Sequence, residues 1–531
     1  MIFKSKQPDV HLPGTDLTSV VLRRVDELGD KPALIDGPSG RTVTYLQLRE
    51  QVNRMSAGLQ QRGFRKGDVF AVFIPNMPEY ATIFLGVAAA GGINTTVNSL
   101  YSTADLVHQF KDSGAKFLVT IAGFLDRALP AAVECGIEEV FVIGATEGES
   151  EAEGTTPFTE LLDNDGNAPN VEIDPRHDLV ALPYSSGTTG LSKGVMLTHE
   201  NLIANMVLSS EMNVTLETDR LIGVLPFFHI YGMVLILNLA LYKGITLVTM
   251  PRFDLEQFLQ IVQDYKITNL NLVPPLVLAL AKHPLVDNYD LSSVRIISSG
   301  AAPLGQELEQ ACASRLGCEI YQGYGLTEVA GACHVNTSPV PAEKQGAVGQ
   351  VLPNTFSRII DTETGAELGP NERGEVLVKG PHVMVGYLNN EEATRTCIDE
   401  EGWFHTGDIG YADEDGFFYI VDRVKELIKY KGYQVAPAEL EALLVSHASI
   451  ADAAVIPSPD EEAGEVPKAF VVLKEDISAE DIMRFVAENV APHKKIRRLE
   501  IVDEIPKSAS GKILRRVLVE KERERIANAN Q

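Results

Sequence analysis

Apolar residues at Tyr45, Leu48, Val52, Met55 and Leu59 recur at intervals of three and four, which predicts one buried helical face. Thr44 and Gln47 at its start have the spacing of a capping box, and Gly63 and Gly67 end it. A continuous apolar run at 68–74 predicts a buried strand, 78–90 a second helix, and Ser102 the cap of a third that runs to about Asp112. Strands at 116–121 and 139–143 flank a helix ending near Cys135. Strand and helix alternate, so right-handed βαβ units and a doubly wound sheet are expected.

The pattern lapses over 145–177, where Glu, Gly, Asp, Asn and Pro dominate; the run Glu147 to Glu153 reads as a solvated surface loop. It resumes with strands at 221–225, 246–250, 269–273, 294–298 and 320–324. Three of these end in polar or glycine-rich loops, at Phe227-Phe228-His229, Ser299 to Ala302 and Gly323 to Glu328. Ligands collect at such strand ends in open α/β sheets, so the three loops predict one shared crevice. From 346 to 421 short alternating runs and frequent turns predict a β-barrel-like unit. Helices at 437–446 and 479–489 and strands at 451–456, 469–473 and 499–502 make a small α+β domain over 422–531. The fold class is therefore α/β. Residues 1–421 form a large N-terminal domain, with βαβ parts at about 1–180 and 181–345 and the β unit at 346–421, and 422–531 form a C-terminal lid domain.

Composition narrows the function classes. A chain of 531 residues, 45% apolar and 22% charged, has the make-up of a globular protein of several domains. Its net charge of −27 argues against nucleic acid or an anionic membrane as partner. The five cysteines show neither a Cys-x-x-Cys pair nor zinc spacing, which predicts a reduced, cytoplasmic chain. The basic start, Met1 to Lys6, leads into polar residues and prolines, so no secretory leader is expected, and Asn528-Ala529-Asn530-Gln531 is not a peroxisomal address. The most apolar stretch, Leu221 to Leu241, holds Pro226, His229 and Asn238 and reads as core plus a site, with no integral membrane segment expected.

Candidate chemistry centres on Tyr184-Ser-Ser-Gly-Thr-Thr-Gly-Leu-Ser-Lys-Gly194. Its glycines bring backbone N–H groups to an anion, its hydroxyls add donors, and Lys193 supplies a positive charge. This is a phosphate cradle. The lysine precedes a glycine with no helix-opening Ser or Thr behind it, so the spacing is not that of a GTPase or motor ATPase.

Three further stretches follow in order: Tyr321-Gln-Gly-Tyr-Gly-Leu-Thr-Glu328, Trp403-Phe-His-Thr-Gly-Asp408 with Asp422-Arg423, and Pro506-Lys-Ser-Ala-Ser-Gly-Lys512. Together the four resemble the adenylate-forming superfamily of acyl-CoA synthetases, amino-acid adenylation domains and beetle luciferases, over about 22–518. Phe228-His-Ile-Tyr231 and Lys425 to Val435 look most like 4-coumarate:CoA ligases. The resemblance implies an ATP- and Mg²⁺-dependent acid:CoA ligase. A carboxylate attacks the α-phosphate of ATP to give an acyl-adenylate and pyrophosphate, and the thiol of coenzyme A then displaces AMP. The small C-terminal domain is mobile in that family, swinging about Asp422 between the two steps, and a monomer or homodimer is expected.

By the same resemblance, Ser185, Ser186, Gly187, Thr188, Thr189, Gly190 and Lys193 cover the β- and γ-phosphates. Thr327 holds the α-phosphate and Glu328 the magnesium ion. Tyr324 stacks on adenine against Gly300, Ala301 and Ala302, with Gln322, Gly323, Ile420 and Lys425 completing the nucleotide's surroundings. Asp408 accepts from the ribose hydroxyls and Arg423 donates to them. Lys512, on the flexible Ser510-Gly511 lead, serves adenylation. Lys429 and Gln434 approach the adenylate in the second state, in which Lys431 and Gly432 line the coenzyme A tunnel. His229 orients the acid or gates coenzyme A. Ile230, Tyr231, Leu235, Gly331 and Ala332 match the acyl pocket, which lacks a carboxylate to pair an amino-acid ammonium. Leu235 stands where coumarate ligases commonly carry a polar residue, and Gly331 where they carry proline, so the expected acid is aryl, hydroxycinnamate-like, or a medium-to-long chain. The competing readings are an adenylating enzyme with another acceptor or luciferase-like oxidation, and a non-catalytic nucleotide-binding protein.

Overall fold

The computed structural model describes residues 1–144, 153–185, 192–212, 214–337, 340–431, 433–460, 462–508 and 511–529. Two nine-stranded sheets form its centre among these residues. In the first, Leu179–Ala181, Ile93–Thr96, Val69–Phe73, Ala115–Ile121, Glu139–Ile143 and Thr156–Pro157 run parallel. Lys193–Thr198 and Tyr184–Ser185 close one side antiparallel. The helix Tyr45–Gln61 packs beside it, capped as the sequence predicts: Thr44 Oγ1 accepts from Gln47 N, and Gln47 Oε1 accepts from Thr44 N.

In the second sheet Glu319–Leu326, Ile296–Ser299, Asn269–Leu272, Arg220–Gly223, Thr246–Thr249 and Pro32–Asp36 are parallel neighbours in that order. Gly331–Val335 and Gln350–Val351 flank one edge antiparallel and Thr42–Thr44 the other. The sheets are therefore not successive halves divided near residue 180. The strands Leu179–Ala181, Tyr184–Ser185 and Lys193–Thr198 complete the first sheet, the last pairing antiparallel with both of the others. Pro32–Asp36 crosses to the second, where Leu34 pairs Leu247. One apolar cluster runs through both sheets, and Tyr45, wholly buried, donates from its hydroxyl to Ile245 O at 2.7 Å.

The β unit, expected as barrel-like, is an antiparallel sheet in the order Ile2–Lys4, Phe356–Ile360, Gly374–Lys379, Phe404–Ala412 and Phe418–Arg423, its first and last strands unpaired with each other. The C-terminal domain has its own core around Ile428, Leu440, Val455, Val471 and Ile482. Its helices Pro437–Ser446 and Ala479–Asn489 lie where periodicity predicts them. The closing helix, Arg515–Ala529, was not expected; its charged sequence carries no clean apolar stripe. Among the described residues no helix is long and apolar enough to cross a membrane, and all five cysteines are unpaired.

Candidate active site

Strand ends of the second sheet open onto a cavity of about 110 Å³, the crevice the three loops predict. Asn271, Ser298 and Tyr321 stand in one register row across three parallel strands and line it from the sheet side. Opposite lie Ile230, Tyr231 and Leu235 at the start of a π-helix, Tyr231–Asn238, with Gly331 and Ala332 beside them. Lys512 reaches the same cavity from the C-terminal domain. Its loop leans on the large domain: a Cβ on Gly511, whose φ is +77°, would lie 3.1 Å from Val273 Cγ2.

His229 is held by groups from the first sheet. Asn76 Nδ2 donates to Gly223 O at 2.9 Å and Leu225 O at 2.8 Å, and its Oδ1 accepts from Phe227 N at 2.8 Å. Thr96 Oγ1 donates to Phe228 O at 2.8 Å. The His229 Nδ1 accepts from Tyr231 N at 3.3 Å, which leaves its proton on Nε2. Burial first, then the Lys512 ammonium, lowers the imidazole to about 3, so it is neutral near pH 7.

Charged groups gather around Tyr324 and Lys512. Asp408, 4% exposed, accepts from the Tyr324 hydroxyl at 2.5 Å and pairs with Arg423 Nε at 3.2 Å across two adjacent strands. Burial raises the Asp408 carboxyl despite Arg423, Tyr324 and Lys512, which all pull it down. Burial lowers the Lys512 ammonium, Arg423 pushes the same way, and Asp408, Glu328 and Glu426 oppose the fall. Glu328 is buried on the short turn Thr327–Val329; its Oε1 accepts from the Tyr387 hydroxyl at 2.9 Å, and Lys193 Nζ lies 4.3 Å above the Tyr387 ring. Thr327 lines the cavity.

Several expected residues take other positions. Gln322 lines the cavity with its amide already engaged: Oε1 accepts from Leu304 N, and Nε2 donates to Leu304 O and, at 2.7 Å, to the buried Glu309. Through Leu304 it pins the loop that carries Gly300, Ala301 and Ala302. Ala301 holds a φ of 69°, a left-handed conformation stored in that loop. Gly300 is required by close approach, since a Cβ there would lie 2.9 Å from Tyr231 Cε1. Gly331 tolerates no side chain: its φ is +134°, and a Cβ would meet Asn205 Oδ1 at 2.6 Å. Ile420 pairs Gly410, beside the Asp408 and Arg423 pair rather than on the cavity wall. Lys425, Lys429, Lys431 and Gln434 are exposed, Lys429 opposite Gln434 in a hairpin and Lys431 paired with Glu462. Ser185 pairs Lys193 at the base of the glycine-rich loop. Ser186, Gly187, Thr188, Thr189, Gly190 and Gly432 lie outside the described residues.

Sequence reading missed the polar part of this cavity. Ser209, Thr215 and Asn271 line it. Asn271 is 5% exposed, its Nδ2 has no partner, and its Oδ1 lies 3.4 Å from the Tyr231 hydroxyl, which also donates to Ser298 O at 3.0 Å. The available signal was the alternation Asn269-Leu-Asn271-Leu in a strand otherwise taken as apolar core.

Comparison with known proteins follows this geometry. The sequence profile described as AMP-binding enzyme matches residues 21–388, and that of the AMP-binding enzyme C-terminal domain matches 439–512. A 4-coumarate–CoA ligase 2 of Petroselinum crispum is 45% identical over 98% of this chain and 96% of its own length. A 4-coumarate–CoA ligase of Pinus taeda is 46% identical over 97% of each. Among solved structures, the anthranilate CoA ligase AuaEII in complex with anthranoyl-AMP superposes with a TM-score of 0.90 at 27% identity, over 97% of this chain and 99% of that one. ATP-bound MatB from Rhodopseudomonas palustris gives 0.85 at 27% identity, over 96% and 99%.

Proposed function

This chain belongs to the AMP-binding enzyme family, and on that premise we propose that its cavity activates a hydroxycinnamate-like aryl acid. The chain is an ATP-dependent acid–thiol ligase that works through an acyl-adenylate, as its near-full-length relatives imply. The observation that carries the reading is the Lys512 ammonium, desolvated beside the Asp408 and Arg423 pair and Glu328, at the nucleotide end of a largely apolar cavity.

In the first half-reaction the acid's carboxylate oxygen attacks the α-phosphorus of ATP, and the bond to pyrophosphate breaks. Lys512 neutralises charge shared by the carboxylate and the α-phosphate; an ammonium about 4 Å from a phosphate oxygen contributes roughly 4 kcal/mol at an effective dielectric of 20. The neutral His229 donates from Nε2 to the acid, which orients it without adding charge. Tyr324 stacks on adenine, Asp408 accepts from ribose hydroxyls, and Arg423 donates to them. Thr327 holds the α-phosphate, and the loop at 185–193 steadies the departing pyrophosphate.

Among the described residues no group of three or more His, Cys, Asp and Glu gathers as a metal cage. A magnesium ion held by the Glu328 carboxylate together with the nucleotide's own phosphates fits that chemistry. When bound, the ion neutralises charge on the pyrophosphate. In the second half-reaction the C-terminal domain rotates about Asp422, and the coenzyme A sulfur attacks the acyl carbon and releases AMP. Lys429, Gln434, Lys431 and Gly432, at the surface or outside the described residues here, then face the adenylate and the pantetheine. For the acid, the unpaired Asn271 amide in an otherwise apolar wall favours an aryl ring that bears oxygen over a plain hydrocarbon chain.

Lys512→Ala tests the division of labour. It removes acid-dependent ATP–pyrophosphate exchange by about a thousandfold and spares thioester formation from supplied acyl-adenylate; equal loss of both contradicts it.

A further inference from the structure

Two consecutive arginines follow the Lys512 loop, and they sit in opposite settings. Arg516 is 63% exposed and, among the described residues, pairs only with Glu520 one helical turn on. Arg515 is 17% exposed and surrounded by carboxylates from three separate elements. Its Nη1 donates to Glu426 Oε2, in the turn that joins Arg423 to the strand Ile428–Tyr430. Its Nη2 and Nε donate to the two oxygens of Glu441, on the helix Pro437–Ser446, the latter at 3.3 Å. Asp422, the last-but-one residue of its strand, bears on the same guanidinium and accepts from Ala438 N at 2.8 Å.

The Lys512 loop is otherwise held by Ile505, Ile513 and Leu518, which pack with Ala454, Ile456 and Phe470, and by a few polar contacts. Lys507 and Ile513 face each other as an antiparallel bridge, and Lys507 Nζ donates to Asp452 at 2.6 Å. Ser508 N donates to Lys512 O at 2.8 Å, and Leu514 N to Pro506 O at 2.9 Å. These contacts fix the loop's shape and its incoming leg. Its outgoing leg, three residues past Lys512, is tied to the segment 422–426 solely by Arg515 among the described contacts. A planar fork that engages two carboxylates sets direction as well as distance, which a single ammonium does not.

We propose that Arg515 is a positioning residue for the first half-reaction: its clamp on Glu426 and Glu441 sets the angle at which the Lys512 loop enters the crevice. The inference rests on the reading that Lys512 serves adenylation alone. Arg515 touches neither nucleotide nor acid, and its effect passes through Lys512.

The test uses the full-length chain with Arg515→Met, Arg515→Lys and Glu426→Gln, read in two assays. One is ATP–pyrophosphate exchange driven by 4-hydroxycinnamate; the other is thioester formation from supplied 4-hydroxycinnamoyl-adenylate and coenzyme A. Misplacing a reacting group by about 1 Å costs of the order of a hundredfold. Arg515→Met is therefore expected to lower exchange by about 10- to 100-fold and to leave thioester formation within about threefold of the parent. Arg515→Lys recovers part of the exchange, and Glu426→Gln shows the same split at smaller amplitude. Parallel loss of both half-reactions in Arg515→Met and Glu426→Gln assigns the cluster to folding of the domain and overturns the proposal, as does unchanged exchange in Arg515→Met. Should Arg515→Met fail to fold, Glu426→Gln decides between the same outcomes. Lys512→Ala, run alongside, separates the two levels: if it depresses both half-reactions equally, the underlying reading fails and the inference with it.

Discussion

Replacing Asn271 with Leu alters one group in the acyl cavity and little of its shape. Asn271 is 5% exposed, and its Nδ2 finds no acceptor in the protein. A buried amide left in that state costs about 1–3 kcal/mol unless a ligand satisfies it. With a 4-oxygenated cinnamate the oxygen accepts from Nδ2, and the variant loses about 2 kcal/mol, or roughly thirtyfold in kcat/KM. With unsubstituted cinnamate the parent leaves the amide unpaired and the variant does not, so kcat/KM rises severalfold. The preference for the oxygenated acid should fall by about a hundredfold in all. The Tyr231 hydroxyl keeps its bond to Ser298 O at 3.0 Å, so the opposite wall has no cause to move. The assay is continuous pyrophosphate release with the two acids in parallel, ATP saturating. A ratio unchanged within about threefold, in a variant with normal ATP dependence, refutes the assignment of Asn271 to the acid.

Three further outcomes follow from the geometry. Gly331→Ala should lower stability by about 2 kcal/mol, because a φ of +134° disfavours any side chain and the new Cβ meets Asn205 Oδ1 at 2.6 Å; thermal melting reads this. Asn76→Ala, which strands Leu225 O and Phe227 N, should cost about 2–4 kcal/mol in denaturant unfolding and depress kcat through the loosened His229 loop. Burial pushes the Glu441 carboxyl from its ordinary 4.5 up to about 7 and Asp422 up to about 6. The folded state therefore holds these protons more tightly than the unfolded chain; the contribution of Asp422 is full below pH 3.8 and lost as pH rises through about 6, and that of Glu441 is full below pH 4.5 and lost as pH rises through about 7. Glu441→Gln should flatten that loss, seen as a smaller fall in melting temperature than the parent's between pH 4.5 and 7.

Local chemistry was legible in the sequence because it is carried by neighbours in the chain. Thr44 and Gln47 cap their helix, and Gly323 to Thr327 lie on the cavity at a strand end, as their types and spacing predict, while Lys512 joins them there as the family resemblance implies. What was not legible depends on distant partners. Pro32–Asp36 joins the second sheet through pairing with residues more than two hundred positions away, which no local pattern encodes. Gln322 has the type and place of a ligand donor, yet Glu309, thirteen residues earlier, claims its amide. Nothing in the sequence shows why position 331 is glycine until Asn205 is seen against it. Arg515 and Arg516 are indistinguishable in sequence, and only burial among Glu426, Glu441 and Asp422 separates them.

The central claim, acid activation by ATP followed by transfer to coenzyme A, is tested most directly by product stoichiometry. The chain is incubated with ATP, magnesium and 4-hydroxycinnamate, with and without coenzyme A, and pyrophosphate, AMP and thioester are measured together. One equivalent each of pyrophosphate, AMP and hydroxycinnamoyl thioester with coenzyme A, and adenylate retained on the protein without it, is the predicted result. Release of ADP, or pyrophosphate turnover with no thioester formed, contradicts it.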